Sequence, residues 1–320
     1  MTDADPTAET LLTRAAREVR AAAHRIRDHV PVTPVTPAPQ LSRALGREVL
    51  LKLENRQISG SFKFRGVTNA LLAMAPADRD RGVVAASSGN HGLALAHAAK
   101  RFAVPATIFV PETATAAKVA ALRDGGVEVV VYGDDCVDTE ARARDDARRS
   151  GRAYISPYND WRVVGGQGTI AVELMAQLDV APAMILASVG GGGLISGIGA
   201  WVRDIWPETR VVGCSPAASA VMMASVRAGR IVDLPSLPTL SDGTAGGVEA
   251  DAITFDLVRA VVDEWVAVEE DAIADAMAHV QQAHDMGIEG AAGVAVAALN
   301  QVTVVGDGPV VVVICGGNGR

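Results

Sequence analysis

One lysine in this chain has the surroundings of a nucleophile. Lys63 lies in Ser59-Gly60-Ser61-Phe62-Lys63-Phe64-Arg65-Gly66, where small residues leave room for a ligand and two aromatics flank the amine. Partial desolvation in such a place lowers an amine's pKa and frees its lone pair for attack. A surface lysine after a turn is the plain alternative, and other segments decide between the two. The strongest is Ser188-Val189-Gly190-Gly191-Gly192-Gly193-Leu194-Ile195-Ser196-Gly197, between a strand-like run and an apolar helix-like one. Four glycines at such a turn present backbone N–H groups at a helix N-terminus, which suits a phosphate dianion. A Walker loop would end in Gly-Lys-Ser/Thr, and here Leu194-Ile195 stands instead. The dinucleotide fingerprint also fails: Ser196 stands three residues after Gly193, and the next strand runs into Gly213-Cys214-Ser215 without an acid. One phosphate on a small ligand fits better than a pyrophosphate.

Two further segments carry polar groups at strand ends. Ser87-Ser88-Gly89-Asn90-His91-Gly92 precedes a helical run, and its hydroxyls, amide and N–H groups can hold a carboxylate. His91 alone is ambiguous, because a lone histidine often serves only as a structural hydrogen-bond partner. Val311-Val312-Val313-Ile314-Cys315-Gly316-Gly317-Asn318-Gly319 ends a buried strand on a thiol that is either inert or a weak donor to a ring nitrogen. Leu240–Gly247 and Met286–Gly293 are weaker and read equally well as turns.

The elements that position these residues alternate. Strand-like runs recur at Val49–Leu53, Gly82–Ala86, Ala106–Val110, Val127–Tyr132, Met184–Val189, Arg210–Gly213 and Pro309–Ile314. Helical spacing lies between them at Leu93–Phe102, Thr115–Asp124, Asp138–Ser150 and Ile170–Leu178, and before them at Thr7–Val30. This predicts an α/β fold with parallel or mostly parallel sheets flanked by helices. Pro31–Pro39 reads as a proline-punctuated loop. The block from 82 to 156 has its own rhythm and reads as a small domain inserted in a larger one formed by 1–74 and 160–320, with linkers near 75–81 and 156–160.

Composition excludes several classes. The 320 residues are 49% hydrophobic with a net charge of −8, and Arg142–Arg149 is interleaved with Asp145 and Asp146, so nucleic acid is not an expected partner. Cys136, Cys214 and Cys315 lack metal-ligand spacing, and an odd count suits a reducing compartment. No signal peptide and no uninterrupted apolar run of spanning length is visible, so a soluble, cytoplasmic protein with no membrane partner is predicted.

Taken together, the segments resemble the fold-type II pyridoxal-phosphate enzymes, specifically the serine/threonine dehydratase and serine racemase family. The resemblance runs from about Thr33 to Asn318 and rests on five ordered motifs, Gly-Ser-Phe-Lys-Phe-Arg-Gly, Ser-Ser-Gly-Asn-His-Gly, Gly-Gln-Gly-Thr-Ile, the tetraglycine loop and Cys-Gly-Gly-Asn. It implies that Lys63 holds pyridoxal 5'-phosphate as a Schiff base and then serves as the base at Cα. It implies that Phe62 packs beside the ring, Gly190, Gly191, Gly192, Gly193 and Leu194 bind the phosphate, Asn90 meets the phenolic oxygen and Cys315 faces the pyridine nitrogen. Ser87, Ser88, Asn90 and His91 would receive the substrate carboxylate. A homodimer acting on a small amino acid follows from the same resemblance.

Within the family, Phe64 after the lysine differs from the Asp of threonine-synthase-like enzymes, and His91 differs from the Thr of cysteine-synthase-like ones. The expected reaction is therefore β-elimination of L-threonine or L-serine to a 2-oxo acid and ammonia. Ser88 matches the second acid/base of racemases, so serine or aspartate racemisation stays open. So do 3-hydroxyaspartate, phenylserine and an ectoine-pathway intermediate as substrates, and a non-catalytic pyridoxal-phosphate-binding protein. Cys214–Val221 carries no carboxylate where the racemase metal site would fall, so no divalent metal is expected there. Tyr158 stands where threonine dehydratases carry an aromatic. The chain stops at Arg320, short of an effector domain of the biosynthetic type, so a catabolic or specialised enzyme is expected.

Overall fold

Short Val/Ile/Leu-rich strands alternate with alanine-rich helices, and the strands sort into two separate sheets. The computed structural model describes residues 6–319. Among them the strands are β1 (Val35–Pro37), β2 (Val49–Leu53), β3 (Val83–Ala86), β4 (Ala106–Val110), β5 (Glu128–Val131), β6 (Ala153–Tyr154), β7 (Met184–Ser188), β8 (Arg210–Pro216), β9 (Glu264–Val268) and β10 (Val310–Ile314). The larger sheet has the order β1-β2-β10-β7-β8-β9 and is parallel except where β1 meets β2. The smaller has the order β5-β4-β3-β6 and is parallel throughout. β2, β4, β7 and β10 are buried at every residue, as strands covered by helices on both faces must be.

Three strands lie outside the predicted runs. β1 falls in the proline-punctuated segment, and it is an antiparallel edge strand, where a proline removes no needed donor. β9 is the opposite edge, and its incomplete burial dilutes the apolar signal. β6 has only two residues. The segment at 75–81, expected as a linker, carries the helix Pro76–Arg81, with proline in its first turn.

Glycines let three helices touch backbone to backbone. These are Lys63–Leu72, Trp161–Gln177 and Gly193–Ile205. A Cβ on Gly166 would fall 2.6 Å from Gly66 Cα, and one on Gly197 would fall 2.3 Å from the Val164 carbonyl oxygen. The Gln167 side chain accepts from Gly66 N–H at 3.1 Å across the first crossing. Any larger residue at these crossings would separate the Lys63 helix from the one that follows the tetraglycine turn.

One apolar core surrounds the larger sheet, with Val49, Leu51, Ile185, Leu186, Ile198, Val311 and Val313. A second surrounds the smaller sheet and takes in Phe64, Val67 and Leu71. The helix that begins at Lys63 thus packs where the two cores meet. No helix among the described residues is long and apolar enough to cross a membrane.

Candidate active site

Lys63 is the first residue of its helix, and the segment before it is anchored to the end of β10. Phe62 N–H donates to the Cys315 carbonyl at 3.0 Å, and Gly317 N–H donates to the Gly60 carbonyl at 2.9 Å. Gly60 has φ +73°, and a Cβ there would fall 2.1 Å from Asn318 Oδ1, so only glycine admits this approach. Lys63 Nζ donates to the Pro157 carbonyl at 2.8 Å and lies 5.0 Å from the centre of the Phe62 ring. Desolvation brings its pKa down to about 8, against an opposing pull from Cys315 and Glu289.

The chain has four lysines, and the other three are unsuited to the role. Lys52 is buried and bonded to the Thr33 carbonyl, Glu173 and Gln177. Lys100 is exposed. Lys118 pairs with Asp242 at 3.5 Å. The lowered value gives a testable sign. In the cofactor-free protein, reaction of Lys63 with an aldehyde probe should rise with pH and reach half its maximum near pH 8. The unfolded chain binds more protons between that value and the ordinary 10.5, so this group's contribution to stability grows as pH rises through the window. A rate that is flat from pH 6 to 10 would show that burial does not tune this amine.

The tetraglycine turn connects β7 to the Gly193–Ile205 helix. Its first intrahelical bond runs from Ser196 N–H to the Gly192 carbonyl, so helix geometry leaves the N–H groups of Gly193, Leu194 and Ile195 without an intrahelical acceptor. Packing as well as φ demands glycine here. A Cβ on Gly190 would fall 2.9 Å from Thr244 Cα, one on Gly191 2.3 Å from Tyr158 Cδ1, and one on Gly193 3.0 Å from Tyr158 Cα. Gly192 has φ +83°. Tyr158, next to Pro157, thus rests on the glycine loop, and its hydroxyl accepts from Glu249 N–H at 3.0 Å.

Ser87, Ser88 and Asn90 are half-buried at the end of β3 and the start of the Asn90–Phe102 helix. Ser87 Oγ accepts from Gly89 N–H at 3.2 Å. Asn90 Nδ2 donates to both oxygens of Glu289 at 2.9 Å, while its Oδ1 accepts from Asn318 Nδ2 at 2.8 Å. His91 is 2% exposed and bonds the Ile155 carbonyl through Nε2 at 2.8 Å. A carbonyl only accepts, so the proton sits on Nε2 and Nδ1 is left unpartnered. Desolvation and the nearby Lys63 bring this imidazole down to about 3, so it is neutral at physiological pH. The ring therefore has no free N–H for a carboxylate, and the backbone N–H in the first turn is the donor His91 has to give.

Cys315 is 1% exposed, accepts from Ser188 Oγ at 3.4 Å and lies 3.8 Å from Glu289 Oε1. Burial and Glu289 push its thiol well up, so it stays protonated. Glu289 joins the Asn90 and Cys315 sides of the site, and burial raises its carboxyl above the usual range. Sequence reasoning left its segment open between a weak site signal and a turn, and did not single out Glu289. The available signal was one acid within an otherwise Gly- and Ala-rich apolar stretch, Met286–Gly293. Asp242–Thr244 packs nearby, with Gly243 facing Glu289 and Thr244 against Gly190.

Contacts therefore link Lys63 through Pro157 and Tyr158 to the glycine loop, and through Cys315 and Glu289 to the Ser-Ser-Gly-Asn loop. The family described as pyridoxal-phosphate dependent enzyme matches residues 26–316. An L-threonine ammonia-lyase of Thermotoga maritima is 39% identical over 303 residues, 94% of this chain and 75% of that protein. The structure of maize serine racemase superposes with a TM-score of 0.90 at 30% identity, covering 95% of this chain and 94% of that one. Threonine deaminase isoform 2 from Solanum lycopersicum, in its processed form, gives 0.90 at 31% identity over 97% of this chain and 85% of that one. The chain belongs to the fold-type II pyridoxal-phosphate dependent enzymes, in the serine/threonine dehydratase and serine racemase family.

Proposed function

We propose that this protein is an ammonia-lyase that converts a β-hydroxy amino acid, L-threonine or L-serine by default, to a 2-oxo acid and ammonia. The observation that carries the reading is the convergence on one site of a desolvated amine, a loop of bare backbone N–H groups and a hydroxyl- and amide-bearing helix start. These residues fit pyridoxal phosphate. The glycine loop is a cradle in which a Cβ at Gly190, Gly191 or Gly192 would collide, and the N–H groups of Gly193, Leu194 and Ile195 lack intrahelical acceptors, which suits a phosphate.

Lys63 would hold the cofactor covalently, Phe62 would flank it, and Gly190–Gly193 with Leu194 would take its phosphate. Asn90 and Cys315 would meet its ring edges. When bound, pyridoxal phosphate supplies an electron sink for negative charge at the substrate Cα. With a pKa near 8, Lys63 Nζ has a substantial neutral fraction near pH 7 to 8 and can accept the Cα proton. With its thiol protonated, Cys315 would bring no charge to the cofactor ring that it is proposed to meet. Ser87, Ser88 and the backbone N–H groups of Asn90 and His91 would orient the substrate carboxylate. Ser88 serves as the acid/base on the other face in the second reading, racemisation, which the likeness to maize serine racemase supports.

Residues 82–156 are read as a small gating domain inserted between 1–74 and 160–320, supported by the separate smaller sheet that they form. The pairs Arg144–Glu249 and Lys118–Asp242 reach across to it and would hold it shut over substrate. Free Cys136, Cys214 and Cys315 support a reducing, cytoplasmic setting. The homodimer rests on the family alone, and sedimentation of the holoenzyme would test it.

The deciding experiment is 2-oxo acid release from L-threonine, L-serine, D-serine, threo-3-hydroxyaspartate and phenylserine, with enantiomer analysis of what remains. Release from a β-hydroxy amino acid is the expected result, and the best substrate names the enzyme. Inversion without release makes it a racemase. No change in any of the five would overturn the lyase reading for this panel.

A further inference from the structure

Behind Lys63, facing away from the site, four charged side chains form a closed cluster. At about 100° per residue, Arg65 lies roughly 200° around the helix from Lys63, so one helical turn carries the amine on one face and this guanidinium on the other. Arg65 is fully buried. Its Nε and Nη2 bond the two oxygens of Glu54 at 2.7 and 2.8 Å. Its Nη1 and Nη2 bond the two oxygens of Glu173 at 2.6 and 2.8 Å, and Nη1 also reaches Thr169 Oγ1 at 3.2 Å. Lys52 Nζ closes the cluster on Glu173 Oε2 at 2.6 Å and uses its other donors on the Thr33 carbonyl and Gln177. Two positive and two negative charges balance, and only Glu173 has measurable side-chain exposure, at 13%.

Buried ion clusters add little net stability compared with apolar packing, so a cluster this complete acts mainly on geometry. Its members come from β2 (Lys52), the turn after it (Glu54), the Lys63 helix (Arg65) and the Trp161–Gln177 helix (Glu173). They therefore lock the first turn of the Lys63 helix to the strand before it and the helix after the 156–160 segment. A double fork of planar, bidentate bonds sets orientation as well as distance, which a lysine in the same place would not do.

We propose that Arg65 is the positioning residue for Lys63, holding the backbone of the first helical turn so that the amine is delivered to the site in one place. The inference rests on Lys63 being the reactive amine. The test compares Arg65→Lys, which keeps the charge but loses the fork, Glu54→Gln, which keeps the shape but weakens one fork, and Leu174→Ala, a core truncation on the same long helix used as a stability control. Each is measured for melting temperature, for kcat and KM on the best substrate, and for the rate at which cofactor-free protein covalently takes up added pyridoxal phosphate.

Arg65→Lys and Glu54→Gln are expected to lose about 10- to 100-fold in kcat, with KM within about twofold and uptake slowed in proportion, since a displacement near 1 Å can cost about 100-fold. Leu174→Ala should melt earlier and keep the wild-type kcat and uptake at 25 °C. Should Arg65→Lys fail to fold, Glu54→Gln carries the test. Wild-type kcat and uptake in the fork variants, or losses that simply follow melting temperature across all three, would overturn the inference. Retained turnover in Lys63→Ala would overturn the assignment of Lys63 itself. Wild-type behaviour of the fork variants beside an inactive Lys63→Ala would overturn the positioning role alone.

Discussion

Replacing Lys63 with alanine should lower 2-oxo acid release by at least about 1,000-fold, because in the proposed reaction one side chain would supply both the covalent hold on the cofactor and the base at Cα, and positioned bases alone contribute about 10²- to 10⁴-fold. The fold should survive. Lys63 is only half-buried and makes one hydrogen bond, to the Pro157 carbonyl, and its removal leaves an acceptor rather than a stranded charge. Melting temperature is therefore expected to hold or rise, since a desolvated amine is lost from the interior. Borohydride reduction of the wild-type holoenzyme, followed by peptide mapping, should leave the cofactor on the peptide that carries Lys63 and nowhere else. Cofactor found on the Lys52, Lys100 or Lys118 peptide would sink the assignment, as would a variant with a tenth of the wild-type rate.

The second large effect is expected at Gly191. Its Cβ position falls 2.3 to 2.5 Å from three carbons of the Tyr158 ring, and that ring is held in turn by the bond from Glu249 N–H to its hydroxyl. Gly191→Val cannot be accommodated by a flexible chain end, so either the loop or the tyrosine must move. Overpacking of this kind costs about 1 to 3 kcal/mol, and if the loop is the phosphate cradle proposed above, the cost should appear in cofactor affinity. Pyridoxal phosphate binding should weaken by roughly 5- to 150-fold, with tenfold per about 1.4 kcal/mol. Free pyridoxal, which lacks the phosphate, should bind the variant and the wild type about equally. Equal loss for both ligands would mean that the loop does not recognise phosphate. In the double variant Tyr158→Ala, Gly191→Val, part of the pyridoxal phosphate affinity should return if the clash with the ring is the cause.

Much of the fold was legible because buried parallel strands leave a simple trace. Val49–Leu53 and Ala106–Val110 agree with β2 and β4 residue for residue, since strands buried on both faces are apolar throughout and end where burial ends. The edge strands β1 and β9 were not legible, because a half-covered edge needs neither a continuous apolar run nor every backbone donor. The Trp161–Gln177 helix was anticipated only from Ile170, because Gly165, Gly166 and Gly168 in its first half look like a breaker. Their reason is tertiary, in the close crossings with Gly66, with Gly197 and with Glu18 and Val19 of the helix Pro6–Ile26, and no local propensity records it.

By itself the sequence determined which residue types could do chemistry and where they fall relative to strand ends. The Lys63 segment, the four glycines, the Ser-Ser-Gly-Asn-His run and Cys315 were all visible, because a turn that binds a phosphate or a carboxylate needs small residues and free N–H groups wherever it occurs. Only the tertiary structure decided what each side chain faces. It put Glu289 between Asn90 and Cys315, laid Tyr158 on the glycine loop, turned the His91 N–H toward Ile155 and placed Arg65 in a buried cluster behind the amine. These are contacts between residues up to 199 positions apart. A local pattern specifies the backbone that a segment adopts, whereas the partner of a buried polar group is set by which distant segments the folded cores bring within about 3 Å of it.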